Sequence, residues 1–200
     1  GEYNGLRPVI GESSGAIVNI FGHDKNGKLH LLLAKEMRQS IDGSGLEESD
    51  VTPVLDSVGK YSHFQVWHPP MGFSAHDPGA VATKLLSITD TILTETGEET
   101  GLTSDSFSLH HVNPVPINMN ASSVSSHNTH VAFVKINHQI EDCIFHPKAG
   151  ELINGLKWFD VEELHKLISA GYHDNALLRS GPAMGAISMF LSEVALRKIS

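Results

Sequence analysis

Thr94-Glu95-Thr96-Gly97-Glu98-Glu99-Thr100-Gly101-Leu102 is the stretch on which the reading of this chain turns. Its carboxylates stand at i, i+3 and i+4, positions that share one face of a helix with Cβ atoms about 5–6 Å apart. Like charges that close repel one another. A hard cation relieves the repulsion, and clustered carboxylate oxygens suit Mg²⁺ or Mn²⁺. Gly101 can stop the helix in a left-handed turn. The acids then lie at the negative end of the helix dipole, where a cation is favoured. An arbitrary Glu-x-x-Glu-Glu reads more simply as a solvated acidic helix end. Two features shift the balance here. The Gly-Leu ending follows at once, and upstream Trp67-His68-Pro69-Pro70-Met71-Gly72-Phe73 forms a proline-glycine loop behind a strand pattern.

Glu95, Glu98, Glu99, Gly101 and Leu102 resemble the second half of the signature of the Nudix hydrolase family. That box reads Gly, five residues, Glu, seven residues, then Arg-Glu-apolar-any-Glu-Glu-any-Gly-apolar. Thr94 stands at the Arg position and Thr96 at the apolar position. Counting back from Thr94 puts the earlier Glu on Leu86 and the Gly on Ala80. Gly72 is the better box glycine. Its surroundings resemble the family's Trp-x-x-Pro-Gly-Gly loop, with about eight extra residues before the helix.

The resemblance covers residues 14–170 and implies an α/β/α sandwich with a mixed sheet. It also implies divalent-metal-dependent hydrolysis of a nucleoside diphosphate joined to another moiety. Glu98 and Glu99 would ligate Mg²⁺ or Mn²⁺, Glu95 would be a further ligand or the general base, and the Gly72 carbonyl would complete the coordination. A later loop acid would be Glu151, with Glu141 and Asp142 as alternatives. The family Arg pairs with the box carboxylates, a bidentate contact that Thr94 cannot make. Lys84 is a cation that could substitute. The alternative reading is therefore a catalytically weakened Nudix-fold module that binds a nucleotide or docks a protein.

Substrate contacts are sought around this box. Lys35 and Arg38 end a strand and can meet phosphates. His68 lies beside the Gly72 loop. Phe73, Trp67 and Tyr61 can stack on a base. His127-Asn128-Thr129-His130 is a poor metal site, because on a strand i and i+3 point to opposite faces. Cys143 belongs to no motif and reads as a passive thiol.

Composition sets outer bounds. The 200 residues suit one domain, 1–200, with a loose lead-in at 1–13 and an accessory C-terminal helix at 180–200. A net charge of −9 argues against a nucleic-acid polymer or an anionic membrane as partner, while leaving a small nucleotide open. The single cysteine precludes an intramolecular disulfide, which agrees with a cytoplasmic setting. The same pattern would suit signal-independent export. No apolar run reaches the roughly 18–20 residues of a membrane span. Dimers are common in this fold class, and the sequence locates no homodimer interface.

The chain mixes strands and helices. Gly15–Phe21 and Leu29–Lys35 read as strands joined by an Asn26-Gly27 turn. Thr52, Pro53 and Gly59 suggest a short helix over 51–59. Strands are expected at 61–67, 107–112, 129–136 and 152–159. Val81, Leu85, Ile88 and Ile92, widened by Leu86 and Leu93, predict the buried face of a helix over 80–100. Asp160-Val161-Glu162-Glu163 is a capping box for a helix ending at Gly171. Ser180-Gly181-Pro182 opens a last helix. Together these give an α+β chain with a mixed sheet between helices.

Overall fold

Asn26 and Gly27 form the tip of a hairpin. Asp24 accepts backbone N–H groups of Asn26 and Lys28 through its carboxylate, at 2.9 and 2.7 Å. From that hairpin the sheet is built outward. The computed structural model describes residues 10–11, 15–38, 54–55, 62–73, 87–120, 125–149, 153–174, 176–178 and 181–199. The strands are β1 (Ile10–Gly11), β2 (Gly15–His23), β3 (Leu29–Arg38), β4 (Val54–Leu55), β5 (Ser62–His68), β6 (Met71–Phe73), β7 (Phe107–Val112), β8 (Ile117–Asn120), β9 (Ser125–Ile136), β10 (Ile153–Asp160), β11 (Tyr172–His173) and β12 (Ala176–Leu177). The helices are α1 (Ile88–Thr100), α2 (Val161–Ala170) and α3 (Gly181–Ala195), with a 3₁₀ turn at Ile140–Asp142.

β2 is the central strand. It runs parallel to β9, and where Ile17–Ile20 lie beside Val131–Val134 the pair is buried and mainly apolar on both faces, as parallel strands covered on two sides are. The other edge of β2 is shared. Its C-terminal half pairs with β3, Ile20 opposite Leu32; further along, β3 exchanges β2 for β5, while β10 pairs along its other edge. Into the vacated edge comes β6, with Met71 opposite Ile17 and Gly72 opposite Ala16. Pro70 assists, since its carbonyl accepts the Val18 N–H at 2.7 Å. This handover brings the proline-glycine stretch onto the middle of the sheet.

Strand alternation then divides the core in two. Ala16, Val18, Ile20, Leu32, Ala132 and Val134 face α1, whose Ile92 is fully buried among them. Ile17, Phe21, Leu31, Leu33, Val131 and Phe133 face α2 and α3. α2 contributes Leu164 and Leu167; α3 contributes Ala183, Ala186, Ile187 and Phe190. Asn19, fully buried on that second face, donates through Nδ2 to the Ala186 carbonyl at 2.8 Å. The result is a mixed sheet between helical layers.

Several expectations are corrected. Helix α1 starts at Ile88. Ser87 is its N-cap in extended backbone, and its hydroxyl accepts the Asp90 N–H at 3.1 Å. Val81, Leu85 and Leu86 lie outside the described residues. Leu93 is 39% exposed, so it does not widen the buried stripe. Val54–Leu55 is a strand paired with His63 and Ser62, where a short helix was expected. Met71–Phe73 is a strand as well as a loop exit. The last helix packs its apolar face into the second core. The capping box is present in full: Asp160 accepts the Glu163 N–H at 2.8 Å and Glu163 accepts the Asp160 N–H at 2.9 Å. No helix among the described residues is long and apolar enough to cross a membrane.

Candidate active site

α1 lies over β2 and β6, and its lower face is unusual in composition. Thr91, Ile92, Thr96, Glu99 and Thr100 are its buried residues. Three threonines are tolerated because each hydroxyl bonds back into the preceding helical turn, Thr91 to Ser87, Thr96 to Ile92 and Thr100 to Thr96. Thr96 at the apolar box position is thus a small core residue with its hydroxyl satisfied. The helix ends at Gly101 in the left-handed conformation, φ 75°, with its N–H on the Gly97 carbonyl at 2.8 Å.

Gly72 faces this helix, as its register partner Ala16 does. A Cβ at Gly72 would fall on the carboxylate of Glu95, so the absence of a side chain makes the space in which that carboxylate sits. One turn further along, Glu99 is 4% exposed, and its Oε1 accepts the Met71 N–H at 3.0 Å. Two acids at i and i+4 therefore converge on the same dipeptide of β6. Glu98 has a different partner. It is one-third exposed and takes the Lys148 ammonium at 2.5 Å.

Lys148 belongs to the segment after the 3₁₀ turn, which closes the end of α1. The His146 N–H donates to the Thr100 carbonyl at 2.9 Å, and the Lys148 N–H donates to the Glu98 carbonyl at 2.7 Å. Helix-end carbonyls that lack intrahelical partners are satisfied this way. Gly101 is packed directly under the His146 backbone, where a Cβ would collide with it.

Among the described residues no three His, Cys, Asp or Glu side chains are arranged to hold a metal ion. The donor set still fits a hard divalent cation, being carboxylate and carbonyl oxygen throughout, and the cradle at Gly72 admits a carboxylate where any other residue would exclude it.

Of the residues singled out in the sequence, Gly72, Glu95 and Glu99 come together, with Glu98 on the adjoining face. Lys35 lies on the opposite face of the sheet: its ammonium donates to the Asp174 carbonyl at 2.9 Å and sits over the Trp67 ring. Trp67 is buried edge-on to Phe159 and donates its indole N–H to the His173 carbonyl, which makes it core. His68 is 1% exposed, with Nε2 2.8 Å from a Glu36 carboxylate oxygen and Nδ1 2.8 Å from the Pro69 carbonyl. That burial fits packing, where a substrate contact was expected. Glu141 accepts the Lys25 N–H and so belongs to the hairpin. Glu151, Tyr61 and Lys84 lie outside the described residues, as do the side chains of Arg38 and Phe73. Cys143 is half-buried, and desolvation, aided by Asp142 and Glu141, pushes its thiol up to about 11. Sequence reasoning missed Lys148 and Glu36. Neither carries a local signal, because each meets its partner only through the fold.

No protein-family model matches the chain, and no curated protein matches it in sequence. Its fold is found among solved structures. The Nudix hydrolase RenU of M. smegmatis is 12% identical, with a TM-score of 0.57 and 98% of each chain covered. An Ap4A hydrolase of C. elegans is 16% identical, with a TM-score of 0.53 over 92% of this chain and 98% of that one. The NUDIX domain of Shewanella oneidensis NrtR, crystallised with ADP ribose, is 10% identical, with a TM-score of 0.51 over 100% of this chain and 94% of that one. At such identities the likeness is one of architecture. The chain has the Nudix fold, an α/β/α sandwich around a mixed sheet.

Proposed function

We propose that this protein hydrolyses a pyrophosphate bond in a nucleoside diphosphate derivative, assisted by Mg²⁺ or Mn²⁺. The observation that supports this most is the convergence of Glu95 and Glu99 on Met71–Gly72, with the glycine leaving room for a carboxylate. In this reading Glu95, Glu98, Glu99 and the Gly72 carbonyl hold the cation. Bound there, it would neutralise phosphate oxygens and lower the pKa of a water. Glu99, buried and oriented by the Met71 N–H, is a fixed donor. Glu95, less buried, would be a further ligand or would take a proton from a water nucleophile. Glu151, which precedes β10 in the sequence, is the candidate for a further acid. Arg38 and Phe73 are retained as substrate contacts, while Lys35 and His68 are engaged elsewhere in the fold. Ap4A and ADP ribose, named for the structural neighbours, put adenosine nucleotides first among substrates to test.

A second reading is a nucleotide-binding module with little turnover. It is favoured by Thr94 at the Arg position and by the pairing of Glu98 with Lys148.

Turnover with Mg²⁺ and Mn²⁺ across dinucleoside polyphosphates, ADP ribose, nucleotide sugars, NADH, coenzyme A and nucleoside triphosphates decides between them. Metal-dependent hydrolysis of one class, reduced by orders of magnitude in Glu98→Gln, is the expected result. Thermal stabilisation by a nucleotide with no turnover on the panel would instead establish the binding module.

A further inference from the structure

We propose that Lys148 supplies, from outside the helix, the cation that position 94 lacks, and acts as a positioning residue for Glu98. The inference rests on the metal-assisted reading above. Positions 94 and 98 are one helical turn apart, so a long basic side chain at 94 would lie beside the Glu98 carboxylate. Threonine is too short to reach it, and the last turn of α1 carries no basic residue. The cation found at Glu98 is Lys148, 50 residues further along the chain.

This is more than an encounter of two surface charges. Two main-chain hydrogen bonds pin the incoming segment to the last turn of the helix: Lys148 N–H to Glu98 carbonyl, and His146 N–H to Thr100 carbonyl. The backbone of Lys148 is thus held against the residue its side chain pairs with. That lowers the entropy lost in forming the contact. Gly101 lets the segment come this close, since a side chain there would strike the His146 backbone. The glycine that ends the acidic run therefore also admits the strand of chain that delivers the lysine. An ammonium is a point charge where a guanidinium would make a planar fork. Lys148 holds Glu98 at one oxygen, Oε1; in this proposal the other oxygen is the one offered to the metal.

Mn²⁺ titration of the full chain by calorimetry, without substrate, tests this independently of activity. The proteins are wild type, Lys148→Met, Thr94→Arg/Lys148→Met and Glu99→Gln. Both substituted positions 94 and 148 are exposed, so folding is expected to survive, and metal-free melting curves check it. Lys148→Met is expected to weaken Mn²⁺ binding by about two- to fivefold, the scale of a partly exposed ion pair. Adding Thr94→Arg is expected to restore it, because the arginine reaches Glu98 along the helix. Unchanged or tighter binding in Lys148→Met overturns the proposal, the latter by making Lys148 a competitor of the metal. Failure of Thr94→Arg to restore affinity overturns it as well, since the lysine would then act other than through charge at Glu98. If wild type binds Mn²⁺ no better than Glu99→Gln, the metal reading itself fails and takes this inference with it.

Discussion

At Gly72 the absence of one methyl group decides where a carboxylate sits. The atoms a Cβ would strike are the end of the Glu95 side chain, which can rotate away at little cost. Gly72→Ala should therefore leave the fold intact, with an unfolding free energy within about 1 kcal/mol of wild type, while displacing Glu95 from its cradle. Mn²⁺ affinity and turnover should both fall. A variant that melts like wild type and binds Mn²⁺ equally well would remove Gly72 and Glu95 from the site. Cys143 makes the opposite kind of prediction. Its thiol is raised to about 11 by burial first and by Asp142 and Glu141 second. The reactive thiolate is accordingly scarce at neutral pH. In the folded protein a disulfide reagent at pH 7.5 should label it far more slowly than a free thiol, with full reactivity recovered in urea. Rapid labelling of the native state would contradict its burial.

Helix ends carry the next level of argument. Asp160 caps α2 and also pairs with Lys28 at 2.5 Å. Its carboxyl is held below the usual range first by the Lys28 hydrogen bond and then by the Glu163 N–H. A depressed carboxyl stabilises the folded state above its unfolded pKa of about 3.9, and the contribution is lost as pH falls through the lower folded value. Asp160→Ala should cost about 1 kcal/mol at pH 7 in urea denaturation, and the gap to wild type should narrow below about pH 4. A gap independent of pH would mean that the charge on Asp160 does not matter. This capping box and the Gly101 and Gly171 stops were legible in the sequence, because caps are local chemistry written in consecutive residues. The start of α1 was missed: the apolar spacing of Val81, Leu85, Ile88 and Ile92 put it at residue 80, whereas Ser87 caps the helix before Ile88. Val54–Leu55 was not legible. Thr52 and Pro53 are local helix signals, whereas the strand exists through pairing with β5, and strand preference depends on such context. For the same reason the candidate site was read as three acids and a glycine, while the lysine that meets one of them went unseen.

Over the whole molecule, the sheet separates two cores that answer to different helices. Glu95, Glu98 and Glu99 ride on α1, above the face carrying Ala16, Val18 and Ile20. Phe190 and Ile187 of α3 lie on the other side, against Phe21 and its neighbours. A mixed sheet between helices was legible from the order of strands and capped helices, and the α/β/α sandwich from the resemblance carried by Glu95, Glu98, Glu99, Gly101 and Leu102. The role of α3 was not, since a terminal helix shows its importance only through the face it covers. Phe190 is fully buried, and truncating it leaves a cavity that a close-packed sheet cannot close. Phe190→Ala should cost about 3–5 kcal/mol in urea denaturation. The acids lie across the sheet from that cavity, so the Mn²⁺ dissociation constant of the folded fraction should stay at the wild-type value. A loss near or below 1 kcal/mol would mean that α3 contributes little to the second core. A large loss of Mn²⁺ affinity with the fold retained would mean that the two faces are coupled through β2, and Asn19, which ties that strand to the Ala186 carbonyl, would be the first residue to test.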